Sequence, residues 1–119
     1  MNVETHHPNE RLPLTPAVFN ILLALADGEK HGYAIMLEVE QNTLGEVKMG
    51  PGTLYGSIKR MLAAGLITES GERPDPESDD QRRRYYRLSG VGQRALQEEA
   101  SRLARQVAVA KRKHVLEGA

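Results

Sequence analysis

Two short basic segments hold the residues best suited to chemistry. Thr53, Tyr55, Ser57, Lys59 and Arg60 fall within eight positions, and Arg82, Arg83 and Arg84 are consecutive. Hydroxyls near a helix N-terminus suit phosphate oxygens, and long bases suit phosphates or guanine edges. Consecutive arginines can follow a phosphate backbone or enter a minor groove. Bond-making chemistry has no comparable set. There is no Cys, hence no thiol nucleophile and no thiolate zinc site. Gly50-Pro51-Gly52 lacks the Gly-Lys-Ser/Thr that completes a phosphate cradle. His6-His7 has no third ligand nearby in sequence. The pattern predicts binding, with no catalysis, no cofactor and no metal.

Charge supports that reading only when it is divided along the chain. Sixteen Lys+Arg balance sixteen Asp+Glu over 119 residues. Residues 15–46 carry a net −4, whereas 47–68 hold Lys48, Lys59 and Arg60 and no acid. Residues 69–81 are again acidic at −5, and Arg82, Arg83, Arg84 and Arg87 then place +4 within six positions. Such placement is a directed field on a neutral chain.

The elements that must position these residues follow from caps and periodicity. Thr15-Pro16 is a hydroxyl N-cap followed by Pro at the first helical position, and predicts a helix to about Ala26. Val18, Ile21, Leu22 and Leu25 form its buried face. A second helix runs from His31-Gly32 to about Thr43-Leu44-Gly45, and Val47-Lys48-Met49 reads as a short extended piece. The third helix starts at Gly50-Pro51-Gly52-Thr53, turns Leu54, Ile58, Met61 and Leu62 inward, and stops at Gly65. Thr53, Tyr55, Ser57, Lys59 and Arg60 are assigned to its outer face. Leu66–Glu69 and Tyr85–Leu88 read as strands, with Tyr86 sharing the parity of Leu88 and expected inside. Glu72 to Gln81 has two prolines and no apolar residue, which predicts a long mobile hairpin loop.

Ser89 caps a last helix expected to reach about Glu117. Leu96, Ala100, Leu103, Val107 and Ala110 follow a 4-3-4-3 spacing along it, with His114 next. A lone helix has nothing to bury such a seam against, so the seam predicts a homodimer. The fold class is therefore mainly α with a small β-hairpin: a winged helix-turn-helix plus a long C-terminal dimerisation helix. In that fold the third helix enters the major groove. Residues 1–11 are read as a disordered N-terminal tail, 12–88 as the winged domain and 89–119 as the dimerisation helix.

The segments Lys30-His31-Gly32-Tyr33, Gly50-Pro51-Gly52-Thr53-Leu54-Tyr55, Ala64-Gly65-Leu66-Ile67 and Arg84-Tyr85-Tyr86-Arg87-Leu88-Ser89 together resemble the PadR family of transcriptional regulators. The likeness covers roughly residues 12–100 and points to the short branch with a single C-terminal helix. It implies a homodimer, double-stranded DNA with a pseudo-palindromic operator as partner, usually repression, and often relief by a small organic effector. One branch of the family stacks aromatic drugs on tryptophans between subunits. This chain has no Trp, and flat aromatic drugs are expected to bind weakly or not at all.

A winged helix can also serve as a protein–protein adaptor, the alternative from another class. An adaptor has no need to clear acids from 47–68 or to cluster arginines in 82–87. The N-terminus has no apolar signal region, and the longest near-apolar run, Ala17 to Ala26, is ten residues. A cytoplasmic protein with no membrane partner is expected.

Overall fold

The computed structural model describes residues 13–75 and 78–116; the side chains of 74–82 lie outside the described set, as does the tail expected at 1–11. Helix α1 spans Pro16–Ala24, β1 Lys30–His31, α2 Gly32–Asn42 and α3 Pro51–Ala63. Strands β2 (Ile67–Asp75) and β3 (Ser78–Leu88) follow, and α4 spans Gly90–Arg112. The three strands form one antiparallel sheet in the order β1-β3-β2. The protein is mainly helical with a small sheet.

The helix starts follow from their caps. The Thr15 hydroxyl accepts the Val18 N–H at 3.1 Å, and Ser89 accepts the Gly92 N–H at 2.9 Å. His31 caps α2 through its ring, whose Nδ1 accepts the Ala34 N–H at 3.1 Å. Helix α1 stops two residues short of expectation. There the Lys30 ammonium donates to the Ala24 carbonyl at 2.7 Å and supplies the partner that a further turn would have given. Burial disfavours the charged Lys30, but Asp27 at 2.5 Å and Glu38 at 3.5 Å outweigh it and raise its pKa.

The core gathers one face of each helix. Ile21 and Leu22 of α1, Ile35 and Val39 of α2, and Leu54, Ile58 and Met61 of α3 are buried, with Ile67 and Tyr86 from the sheet. Each buried Leu or Ile contributes about 1.5–3 kcal/mol relative to exposure. Tyr86 lies inside as its strand parity requires, and burial pushes its phenol pKa up.

Two expectations about strands are corrected. Val47-Lys48-Met49 forms no strand; Lys30-His31 does instead, with Lys30 opposite Tyr86 and His31 opposite Tyr85. The region expected as a long loop is mostly paired backbone, since β2 continues to Asp75 and β3 resumes at Ser78. A two-stranded ribbon is held by its backbone ladder and needs no apolar residue when both faces meet solvent. Pro74 fits because β2 is an edge strand. Ser70 is the extra residue of a bulge between Glu69 and Gly71, and Gly71 takes the φ of +137° that the bulge requires.

The start of α4 is clamped to the α3–β2 turn. Ser89 N–H donates to the Leu66 carbonyl at 3.1 Å, and a Cβ at Gly92 would collide with that same peptide. This junction fixes where the last helix leaves the domain.

Candidate nucleic-acid interface

Helix α3 presents a surface stripped of acids and of bulk. Its N-cap is Gly50, no side chain caps the first turn, and Pro51 takes the first helical position. Gly50, Pro51, Gly52 and Thr53 are all exposed, so the unpaired amides of the first turn are open to an anion. Farther along, Gly56, Lys59, Arg60 and Ala63 occupy the outer face. Gly52, Gly56 and Arg60 succeed one another at four-residue intervals, which leaves a bare strip beside the bases. Ser57 does not belong to this face. It is 3 % exposed, and its hydroxyl accepts from Arg60 Nη2 at 3.3 Å. Ser57 lies one residue before Ile58 on the inward side of the helix, so it orients Arg60 from within.

Tyr55 joins α3 to the rest of the site. It is 48 % exposed, and its ring lies over Gly32, where a Cβ would stand 2.7 Å from Tyr55 Cζ. The Gly of "HGY" and the Tyr of "PGTLY" are therefore two halves of one contact. Close approach is what glycine permits there.

The wing supplies the opposing wall. An open cleft of about 420 Å³ lies between α3 and β3, lined by His31, Tyr55, Glu72, Arg83, Arg84 and Tyr86. Arg83 stands over the Tyr33 ring at 5.2 Å, and its Nη1 is 3.5 Å from His31 Nδ1. Arg84 lies 3.9 Å from Glu69 and 4.0 Å from Glu72, and is largely exposed. Arg82 sits on β3 opposite Pro74; its side chain is outside the described residues. The structure thus brings Tyr55, Arg83 and Arg84 to one cleft, with Thr53, Lys59 and Arg60 on the adjoining helix face.

Three contributors were not visible in the site sets read from sequence. His31 caps α2, packs edge-on against Tyr85 at 5.3 Å and lines the cleft. Arg73 covers the Tyr85 ring at 4.2 Å and pairs with Glu29 at 2.6 Å. That guanidinium and the Ser70 hydroxyl hold the Glu29 carboxyl below its ordinary pKa. Gly56 is the third, and the four-residue spacing from Gly52 to Arg60 was the signal for it.

Along α4 the expected seam divides. Leu96 is 7 % exposed and belongs to the domain core with Ala95, because the domain packs onto the first turns of the helix. It is therefore not a residue of an open seam. Ala100 and Val107 are exposed, and Leu103 and Ala110 are half-buried. Helix α4 ends at Arg112, before the expected Glu117, and His114 lies beyond it in a left-handed turn at φ +61°. The sequence also gave no notice of Glu99, which is 2 % exposed. Its carboxylate accepts from Arg102 Nε at 2.7 Å, Arg102 Nη2 at 2.8 Å and the Leu14 N–H at 3.2 Å. Arg102 is the main cause of its lowered pKa. Beside it, Leu14, Phe19, Asn20 and Leu103 line an open groove of about 320 Å³ between α1 and α4.

Three helices followed by a sheet wing and a long last helix define a winged-helix protein. Residues 21–98 match the PadR-like family of transcriptional regulators, and the chain belongs to that family. Over 85 residues it is 38% identical to an uncharacterised 37.1 kDa protein in a transposon of Streptomyces fradiae. That match covers 71% of this chain and 22% of the relative, so the chain spans about a fifth of that protein's length. Among solved structures, a PadR family transcription regulator from Clostridium difficile superposes with a TM-score of 0.66 at 23% identity, covering 82% of this chain and 97% of that one. A transcriptional regulator from Clostridium thermocellum gives 0.63 at 22%, covering 81% and 87%. Bacillus subtilis PadR in complex with operator DNA gives 0.59 at 21%, covering 68% and 44%. Among the described residues, no helix is long and apolar enough to cross a membrane.

Proposed function

We propose that this family member is a homodimeric, sequence-specific repressor that reads double-stranded DNA with α3 and follows the backbone with its wing. The observation that carries this reading is the α3 face. Lys59 and Arg60 stand in the C-terminal half of an acid-free helix whose N-terminus is open, and the Arg83–Arg84 cleft flanks it. Thr53 and the first-turn amides suit phosphate oxygens, Lys59 and Arg60 suit phosphates or guanine edges, and Tyr55 reaches the strand from its seat on Gly32. Arg82, Arg83 and Arg84 contact the backbone or minor groove next to the major-groove helix. The protein acts by binding, with no catalytic step of its own.

Dimerisation supplies the second half-site. On α4, Val107 is exposed and Leu103 is only half covered by its own domain, and a partner's α4 is the economical cover for both. Two recognition helices about one helical turn apart then demand a pseudo-palindromic operator. A small organic effector would find the α1–α4 groove at Phe19 and Leu103, where apolar walls meet few polar groups.

The deciding experiment is a gel shift with the promoter of the protein's own gene and with random DNA, at several salt concentrations. Retarded promoter complexes that survive competitor DNA are expected. A folded dimer that retards neither DNA would favour the adaptor reading. Leu103→Glu is expected to yield monomer in sedimentation and to lose operator binding with it. A normal dimer would take Leu103 out of the seam.

A further inference from the structure

Three helices of this chain end in one type of backbone turn, and two of them put a residue other than glycine at the left-handed position that Gly65 takes in the third. Helix α3 closes with Gly65 N–H on the Leu62 carbonyl (3.1 Å) and Leu66 N–H on Met61 (2.9 Å). Helix α2 repeats this with Leu44 on Gln41 (3.3 Å) and Gly45 on Glu40 (2.8 Å); α4 does so with His114 on Lys111 (3.1 Å) and Val115 on Ala110 (2.9 Å). The left-handed position has φ of +78° at Gly65, +53° at Leu44 and +61° at His114. Glycine takes that conformation without a steric penalty, whereas a Cβ crowds the backbone.

Leucine at such a position is strained, and the described residues leave its side chain open to solvent. Leu44 is 93 % exposed. With Leu37, itself 41 % exposed, it walls an open groove of about 550 Å³ that also touches Glu40, Gln41 and Gly45. The rim is acidic: Glu40 has a loose pair with Lys48 at 3.9 Å, and Glu46 is exposed.

The end of α4 is its chemical complement. Lys111, Arg112 and Lys113 precede Val115 and Leu116, which are 75 % and 42 % exposed. No acid occurs between residues 100 and 116. Every residue from 104 to 109 is exposed, so this half of the helix has left its own domain. Helix α1 packs against both α4 and α2 and exposes Leu23.

We propose that the Val115–Leu116 end of one subunit seats on the Leu37–Leu44 groove of the second copy, with Lys111–Lys113 against Glu40 and Glu46. The inference rests on the homodimer reading and specifies a contact within it. Two-fold symmetry makes the contact twice per dimer.

Because the chain has no Cys, engineered disulfides give a clean test. Leu44→Cys and Leu116→Cys proteins are mixed, allowed to exchange subunits and mildly oxidised. A covalent dimer is expected from the mixture on a non-reducing gel, and none from either protein alone. Leu44→Gly adds an independent readout: the fold should resist denaturant better, while dimer dissociation should become at least tenfold easier. Glu40→Lys should weaken the dimer, and Lys111→Glu in the same chain should restore part of it. A wild-type dimer whose cysteine mixture stays uncrosslinked, or whose Leu44→Gly form dimerises as tightly, overturns the contact and leaves the homodimer standing. A bridge inside a single chain carrying both cysteines gives the groove to the chain's own tail and also overturns it. Monomeric wild type by sedimentation removes the homodimer reading as well.

Discussion

The basic residues of α3 lie on the helix face adjoining the cleft that the wing arginines line, yet the two sets are prepared in opposite ways. Among the described residues no carboxylate pairs with Lys59 or Arg60. In the wing, Arg73 is held by Glu29, Arg84 stands between Glu69 and Glu72, and Arg83 lies over Tyr33 beside His31. A phosphate arriving at α3 meets cations with no counter-charge to displace. One arriving at the wing must draw Arg84 away from two acids. Under the proposed DNA-binding function, that difference would give α3 the larger share of affinity and make the wing a surface whose attraction is moderated by its own acids.

The largest effect expected from this contrast lies on α3. Lys59→Ala with Arg60→Ala should weaken operator binding by about 1–3 kcal/mol if either reads a base. If both touch only phosphates, the loss should be equal on all sequences, with the log–log salt slope falling by about one per contact. Unchanged binding by the folded double variant would remove α3 from the interface.

The joint between the two regions should come next. In Gly32→Ala the new methyl must displace the Tyr55 ring, a shift of the kind that costs about 1 kcal/mol or more in packed sites. Because Tyr55 is half-exposed, the fold should survive, and a crystal structure should show the ring turned away from α2. DNA affinity should fall with it; an unmoved ring would refute the coupling of α3 to α2.

A smaller effect of opposite sign is expected in the wing. Glu69→Gln with Glu72→Gln should tighten binding to operator and random DNA alike, by less than about 1 kcal/mol, as exposed pairs allow. Fluorescence anisotropy would detect it, and weakened binding would show that these acids support the wing instead of moderating it.

The smallest effect is on pH dependence. Glu29 has a depressed pKa, chiefly through Arg73, so its contribution to stability is full above its unfolded pKa and drains as pH falls through the folded one. Melting temperatures of Glu29→Gln should therefore change less than wild type below about pH 4.5, the onset of ordinary carboxylate titration. Parallel curves for the two proteins would make the Glu29–Arg73 pair irrelevant to the wing's stability.

Much of this architecture was legible in the sequence, and for local reasons. Thr15-Pro16 and Ser89 announce their helices because capping involves residues three apart. The apolar positions of α3 announce its buried face because 3.6 residues make a turn. Periodicity also assigned residues to the wrong side at its margins. Ser57 read as outer because it is polar, and it is buried one step from Ile58. Leu96 read as the first residue of a seam because it keeps the spacing, and it is core because the domain rests on that turn.

The chain by itself determined which residues are basic, where acids are excluded, where helices start and that four motifs stand in a winged-helix order. Local chemistry suffices for these, since each depends on neighbours within a turn or a strand. Only the tertiary structure decided that Lys30-His31 is a strand, that Tyr55 needs Gly32, and that Glu99 ties Leu14 to α4. Those contacts join residues 23 to 85 positions apart, and no sequence window contains both partners. Their existence depends on how the packed helices bring the sheet edge and the turns together.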